Sequence, residues 1–195
     1  HAAVRAGNDN AFEILDAFGQ CVARFGLEGS SLEKIAEEAG MKRSILRHYI
    51  GNRDDLIIEL ATKVVAEYQE SNRQFFDSMS SANRAKSLVD LLLPAKPIGT
   101  TEQLLIVEGL IGASPKYPII RKLVFDYIDS FIQLVADQLQ LIAPKSPPPK
   151  CWQVAYALIC ISFNQESLQP LDLPGKYLKA ARKTANILIS QMLPS

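Results

Sequence analysis

Apolar residues recur along this chain at intervals of three and four, and no stretch alternates strictly enough to predict a strand. Phe12, Leu15, Phe18, Val22 and Phe25, with Ile14 and Cys21 on the same side, mark an amphipathic helix with a core-facing stripe. Gly26 suits a left-handed cap and is expected to end it. Ser30-Ser31-Leu32-Glu33 has the form of a capping box, opening a short helix with Leu32, Ile35, Ala36 and Ala39 inward. Gly40 breaks that helix, and a second short one follows from about Lys42 to Tyr49, ended by Gly51. Asn52 is a good N-cap for a long fourth helix, with Asp54 and Asp55 at the positive end of its dipole. Leu56, Ile57, Leu60, Val64 and Tyr68 keep its period to roughly Phe76.

Further helical segments are predicted around 84–93, 101–113, 117–142, 151–168 and 175–193, separated by proline-bearing joints. The joint at 143–150 holds four prolines and reads as the clearest non-helical connector. The expected fold is all-α with about nine helices, cut into residues 1–52 and 53–195.

Composition narrows the class. The 195 residues are 48% hydrophobic with no net charge, which predicts a folded core and argues against a nonspecific polyanion binder. No run of eighteen apolar residues and no leader-like stretch is present, so a soluble cytoplasmic protein without membrane contact is expected. A start at His1 suggests that the native N-terminus is not represented. Cys21, Cys151 and Cys160 have no metal-ligand spacing and read as reduced thiols; neither a metal nor a cofactor is expected.

Charge is placed unevenly. The first sixty residues carry seven Lys or Arg against ten Asp or Glu, yet residues 39–53 carry four basic side chains and no acid. With 100° between successive helical residues, Ile45, Leu46 and Tyr49 fall on one side of the second short helix and are expected to face inward. Arg43, Ser44, Arg47 and His48 fall opposite, with Lys42 at the N-terminal edge and Arg53 opening the next helix. Two short helices about a glycine turn, the second with an exposed basic face, form a helix-turn-helix pattern. Such a helix fits the major groove of DNA, where arginine can bind guanine in a bidentate manner.

The stretch from Ala11 to Leu60, "AFEILDAFGQCVARFGLEGSSLEKIAEEAGMKRSILRHYIGNRDDLIIEL", resembles the DNA-binding domain of the tetracycline-repressor (TetR) family of transcriptional regulators. The components come in the family's order: Phe25-Gly26, Ser30-Ser31, Ile35 to Met41, then Ser44, Leu46, Arg53 and Leu56 at its spacing. The resemblance implies a three-helix reading head joined by the fourth helix to a helical ligand-binding and dimerisation domain. It implies phosphate contact from Ser31 and Arg53, and base or backbone contact from Lys42, Arg43 and Ser44. Arg47 and Tyr49 depart from the tyrosine and histidine usual in the family, and Ile50 from its phenylalanine. On the exposed face Arg47 can bind phosphate or guanine; His48 and the Tyr49 hydroxyl are further candidates for the DNA backbone.

Beyond residue 60 nothing looks catalytic: there is no glycine-rich phosphate loop, paired-histidine helix or nucleophile elbow. "KCWQVAYALICISF" is apolar nearly all round. In the last helix Tyr177, Ala180, Ala181, Thr184, Ile187, Leu188 and Met192 share a side opposite Lys179, Arg182 and Lys183. Both are candidate dimer helices, as the resemblance implies. An effector cavity is expected from Glu108, Gly109, Gly112, Phe125, Phe131, Trp152, Tyr156 and Phe163, taking a small, largely apolar ligand. The function expected is a homodimeric repressor of a palindromic operator, released by that ligand. The alternatives are a constitutive DNA binder or activator, and a helical interaction or ligand-binding module without DNA recognition.

Overall fold

The computed structural model describes residues 2–50, 52–96 and 99–193, with side chains from Asn10 onward except those of residues 48–50. Among these residues there are nine α-helices and no strand: α1 Ala2–Gly29, α2 Leu32–Glu38, α3 Arg43–Ile50, α4 Arg53–Ser78, α5 Arg84–Leu92, α6 Thr101–Ala113, α7 Pro118–Ile142, α8 Pro148–Ser167 and α9 Lys176–Ser190. Single 3₁₀ turns lie at Ser81–Asn83 and Gln169–Leu171. None of the described helices is long and apolar enough to cross a membrane.

Most boundaries follow the sequence signals. Asn52 caps α4 as expected, its side chain accepting from the Asp55 N–H at 2.9 Å. Gly26 does interrupt α1, at φ 71°. The proline joint is the exception: α8 starts at Pro148, three residues earlier than expected. Proline suits the first turn of a helix, where its missing N–H has no partner to lose, so part of the expected connector is helix.

Packing divides the chain into two compact units that interleave in sequence. The first comprises 1–70 and 100–125, the second 71–99 and 126–195. In the first, Ile14, Leu15, Phe18, Cys21 and Val22 of α1 join Ile35, Leu46, Leu56, Ile57 and Leu60 in one core. Phe12 and Phe25 do not belong to it, being 56% and 46% exposed. Phe12 lies roughly 120° from the stripe's centre by helical angle. Phe25 stands at the helix end with the Lys34 ammonium 4.1 Å above its ring.

Helix α6 packs against α1 through two glycines. A Cβ on Gly19 would stand 3.2 Å from Ile106 Cδ1, and one on Gly109 3.3 Å from Val22 Cγ1. The space beside Gly109, expected to belong to a cavity, is therefore filled by a neighbouring helix. The turn after α6 is tied to the start of α4, where the Tyr117 hydroxyl donates to Asp54 Oδ1 at 2.9 Å.

The second unit has its own core, built from Leu88, Val89, Leu92, Val135, Leu139, Ala155, Leu158 and Ile189 among others. Phe131, expected to line the effector cavity, is buried there and stacks on Tyr127 with ring centres 6.1 Å apart. Buried Asn72 donates to the Tyr127 hydroxyl at 3.0 Å. Ala185, Ile189 and Met192 are buried, whereas Tyr177, Ala180, Thr184 and Ile187 are exposed. Arg182, on the side opposite the apolar residues, donates to the Leu93 carbonyl and to Asp90. Lys86 binds the same carboxylate at 2.6 Å, and together the two cations hold Asp90 below the usual carboxylate range.

A depressed carboxylate stabilises the fold above its ordinary titration range and loses that contribution as pH falls through its lower folded value. Arg182→Met, which keeps the aliphatic stem, should lower stability at neutral pH by about 1–2 kcal/mol, allowing for partial exposure of the pair. Denaturant titration should show the gap to wild type narrowing once the pH drops below the ordinary aspartate range. A remnant should persist from the Leu93 carbonyl. A gap that does not change with pH would refute the role given to Asp90.

Candidate nucleic-acid interface

The interface is assembled by the turn between α2 and α3. Gly40 has φ 64°, a left-handed conformation that glycine adopts at little cost. The Gly40 N–H donates to the Glu37 carbonyl at 3.1 Å and the Met41 N–H to the Ala36 carbonyl at 2.9 Å. This pair of bonds is a Schellman motif; it satisfies the end of α2 and turns the chain sharply. Lys42 then opens α3, its carbonyl accepting from the Ile45 and Leu46 N–H groups at 2.9 and 3.1 Å.

Leu46 is fully buried and fixes α3 in the core of the first unit. Ile45 is not part of that anchor: it is 44% exposed, against the inward position expected from its wheel angle. The helix is short and rests on α1 and α2 through its Leu46 side, leaving the flank that holds Ile45 uncovered. Lys42, Arg43, Ser44 and Arg47 are exposed. His48 and Tyr49 belong to α3, but their side chains lie outside the described residues.

Ser31 caps α2, its hydroxyl accepting from the Lys34 N–H at 3.3 Å. It thus stands at a helix N-terminus, with Glu33 in the first turn. That acid corrects the expectation of a basic face without carboxylates, because Arg43 Nη1 lies 2.5 Å from Glu33 Oε1. The Glu33 carboxyl is held below the usual carboxylate range, first by its own backbone N–H and also by the Ser31 hydroxyl, Arg43 and Arg47. Ten residues separate Glu33 from Arg43, so only the fold brings them together.

Arg53 is also engaged within the protein. Its guanidinium donates to the Leu27 carbonyl and lies 3.7 Å from Glu28, pinning the start of α4 to the end of α1. The Leu27 carbonyl lies just past the Gly26 break, at a helix end that leaves acceptors to satisfy. Sequence reasoning missed this internal role, for which no local pattern gives a sign. Of the basic side chains singled out, Lys42 and Arg47 make no ion pair among the described residues.

The residues expected to line an effector cavity divide between the units. Glu108, Gly109 and Gly112 lie on α6 and Phe125 on α7, all in the first unit. Phe125 is exposed, and the surroundings of Gly112 are open. In the second unit Phe131 is core, whereas Trp152, Tyr156 and Phe163 are exposed on one side of α8. The Trp152 and Tyr156 rings stack there, centres 5.6 Å apart.

No protein-family profile matches the chain. Over 49 residues it is 35% identical to an HTH-type transcriptional repressor, AcnR, from Corynebacterium jeikeium. The match covers 25% of this chain and spans only 26% of the length of that repressor. A TetR transcription regulator from Haloarcula marismortui superposes with a TM-score of 0.79 at 17% identity, over 96% of this chain and all of that one. A transcriptional regulator from Saccharomonospora viridis, solved in complex with choline, superposes at 0.75 with 18% identity, over 94% and 96% of the two chains. The chain has the fold of the TetR-family transcriptional regulators.

Proposed function

We propose that this chain is a dimeric DNA-binding transcriptional repressor whose α3 enters the major groove of a palindromic operator, and that a small, largely apolar ligand releases it. The observation that carries the reading is the face of α3: Lys42, Arg43, Ser44 and Arg47 exposed together on a helix locked from behind by Leu46. The short identity to a helix-turn-helix repressor supports it from an independent direction. Residues 1–52 act as the reading head and 53–195 as the regulatory part. Arg43 and Arg47 read bases or bind phosphate, with Lys42, Ser44, His48 and Tyr49 beside them. Ser31 meets phosphate at the start of α2, where the backbone N–H groups favour an anion. Arg53 serves chiefly to orient the head, since its guanidinium already has acceptors.

Dimerisation is assigned to α8 and α9, which pack on each other. Trp152, Tyr156 and Phe163 on α8, with Tyr177 and Ile187 on α9, are large apolar side chains left in solvent. Exposed aromatics sharing one side of a helix suit an interaction site, so those of α8 belong to the subunit interface more than to an effector cavity. Two reading heads must then present α3 about 34–36 Å apart, one turn of DNA. A ligand that prefers another spacing lowers DNA affinity by that preference. Choline in the S. viridis regulator makes a quaternary ammonium a sensible first probe beside apolar compounds, screened by thermal shift and by release from DNA.

Selection from random duplexes at stated salt should enrich a palindrome. Arg43→Ala and Arg47→Ala should each weaken binding to it by about 1–3 kcal/mol at unchanged melting temperature. Unaltered affinity in both variants would remove α3 as the reading element. Arg53→Ala should instead lower the melting temperature together with the affinity.

The interface is tested separately. Trp152→Glu should shift the sedimenting species from dimer to monomer and reduce operator affinity, whereas the folded helical signal is kept. A variant that still sediments as a dimer would move the interface elsewhere.

A further inference from the structure

Ile45 is the third residue of α3 and is 44% exposed, directly beside a fully buried Leu46. The core does not hold it, and Arg43, Ser44 and Arg47 of the same short helix are exposed as well. Single exposed apolar residues are ordinary on protein surfaces. What distinguishes this one is its company: every other described side chain on the open side of α3 is a hydrogen-bond donor. Resting on the proposal that α3 enters a major groove, we infer that Ile45 reads thymine by packing against its C5-methyl group at one position in each half-site.

The chemistry of the groove selects the occupant. Base edges there present donors and acceptors, and the thymine methyl is the apolar group among them. An isoleucine laid over a guanine, cytosine or adenine edge displaces water from polar groups and returns no hydrogen bond. Over the methyl it buries apolar surface on both sides. Position also fits, because the first turn of a recognition helix is the part that approaches the bases. The side chain is β-branched and holds essentially one χ1 rotamer in a helix, so docking it freezes little motion. Ser44 and Arg47 supply polar readout on either side, and Ile45 adds a term neither can.

Replacing thymine by deoxyuridine removes the methyl and leaves pairing intact, which isolates this contact. The full chain should first be used to select its preferred duplex from random sequence. Each thymine is then replaced symmetrically in both half-sites, and affinities are compared for wild type, Ile45→Ala and Ile45→Val. One thymine position should cost wild type about fourfold per half-site, the value of burying a single methyl group. Ile45→Ala should bind the thymine and uracil duplexes alike, and Ile45→Val should retain part of the discrimination. Because the residue is half in solvent, both variants should melt with wild type. Indifference of wild type to uracil at every position, or an Ile45→Ala protein that still discriminates, would overturn the inference while leaving α3 as a DNA-binding helix. Failure to select any sequence would overturn that underlying reading, and the inference with it.

Discussion

The exposed surface of α3 depends on one buried side chain. An eight-residue helix is far too short to persist alone in water, because nucleation is unfavourable and few bonds follow it. Leu46 supplies what is missing: its complete burial contributes about 1.5–3 kcal/mol and fixes the rotation of the helix about its axis. The Schellman turn at Gly40 fixes the direction of approach. One anchor and one turn thus determine which side chains face outward. With Leu46 inward, neither Ser44 nor Arg47 can join the core without unwinding α3.

Electrostatics then sorts the basic residues by role. Arg53 is committed to the Leu27 carbonyl beyond the Gly26 break, where it adds a second donor to the Ser30 N–H. Arg43 is paired with Glu33, but both side chains are about half exposed. An ion pair in such surroundings is screened by water and contributes little compared with a bidentate contact to guanine. Glu33 therefore holds Arg43 loosely across the α2–α3 turn and offers weak competition to DNA. Lys42 and Arg47 give up no ion pair described within the protein when they meet an anion.

Local signals were enough for the helical architecture. Capping at Ser31 and Asn52, the glycine breaks at Gly26 and Gly40, and three-four periodicity place the helices with boundaries close to those observed. The misreadings have a common physical origin. A wheel angle says which residues share a side, but not how wide a side the neighbours cover. A wheel angle therefore places Ile45 and Phe12 in cores that do not enclose them. Nor does it show that Arg182 meets the carboxylate of Asp90 and the carbonyl of Leu93. Pairs such as Glu33 with Arg43 arise only after the chain has turned back on itself, and helical spacing within either short helix does not reveal them. Glycine is ambiguous in the same way: Gly109 could mean a cavity or a close helix crossing, and Val22 decides for the crossing.

Two of the exposed apolar features among the described residues make sense together. On α8 and α9 the uncovered residues are large and several, and Trp152 and Tyr156 stack, the pattern that carries the proposed subunit interface. On α3 Ile45 is exposed beside the donors Arg43, Ser44 and Arg47, the pattern expected of a surface that meets a mixed polar edge. One subunit brings only a handful of cations to DNA, too few for tight binding where salt competes at each phosphate. In the proposed dimer, a second reading head held by the α8–α9 face would make its half-site contacts intramolecular, raising affinity without any new type of contact. Loss of the aromatic surface would then weaken DNA binding although no residue of that surface touches DNA. The same linkage lets operator DNA favour the assembled form in turn.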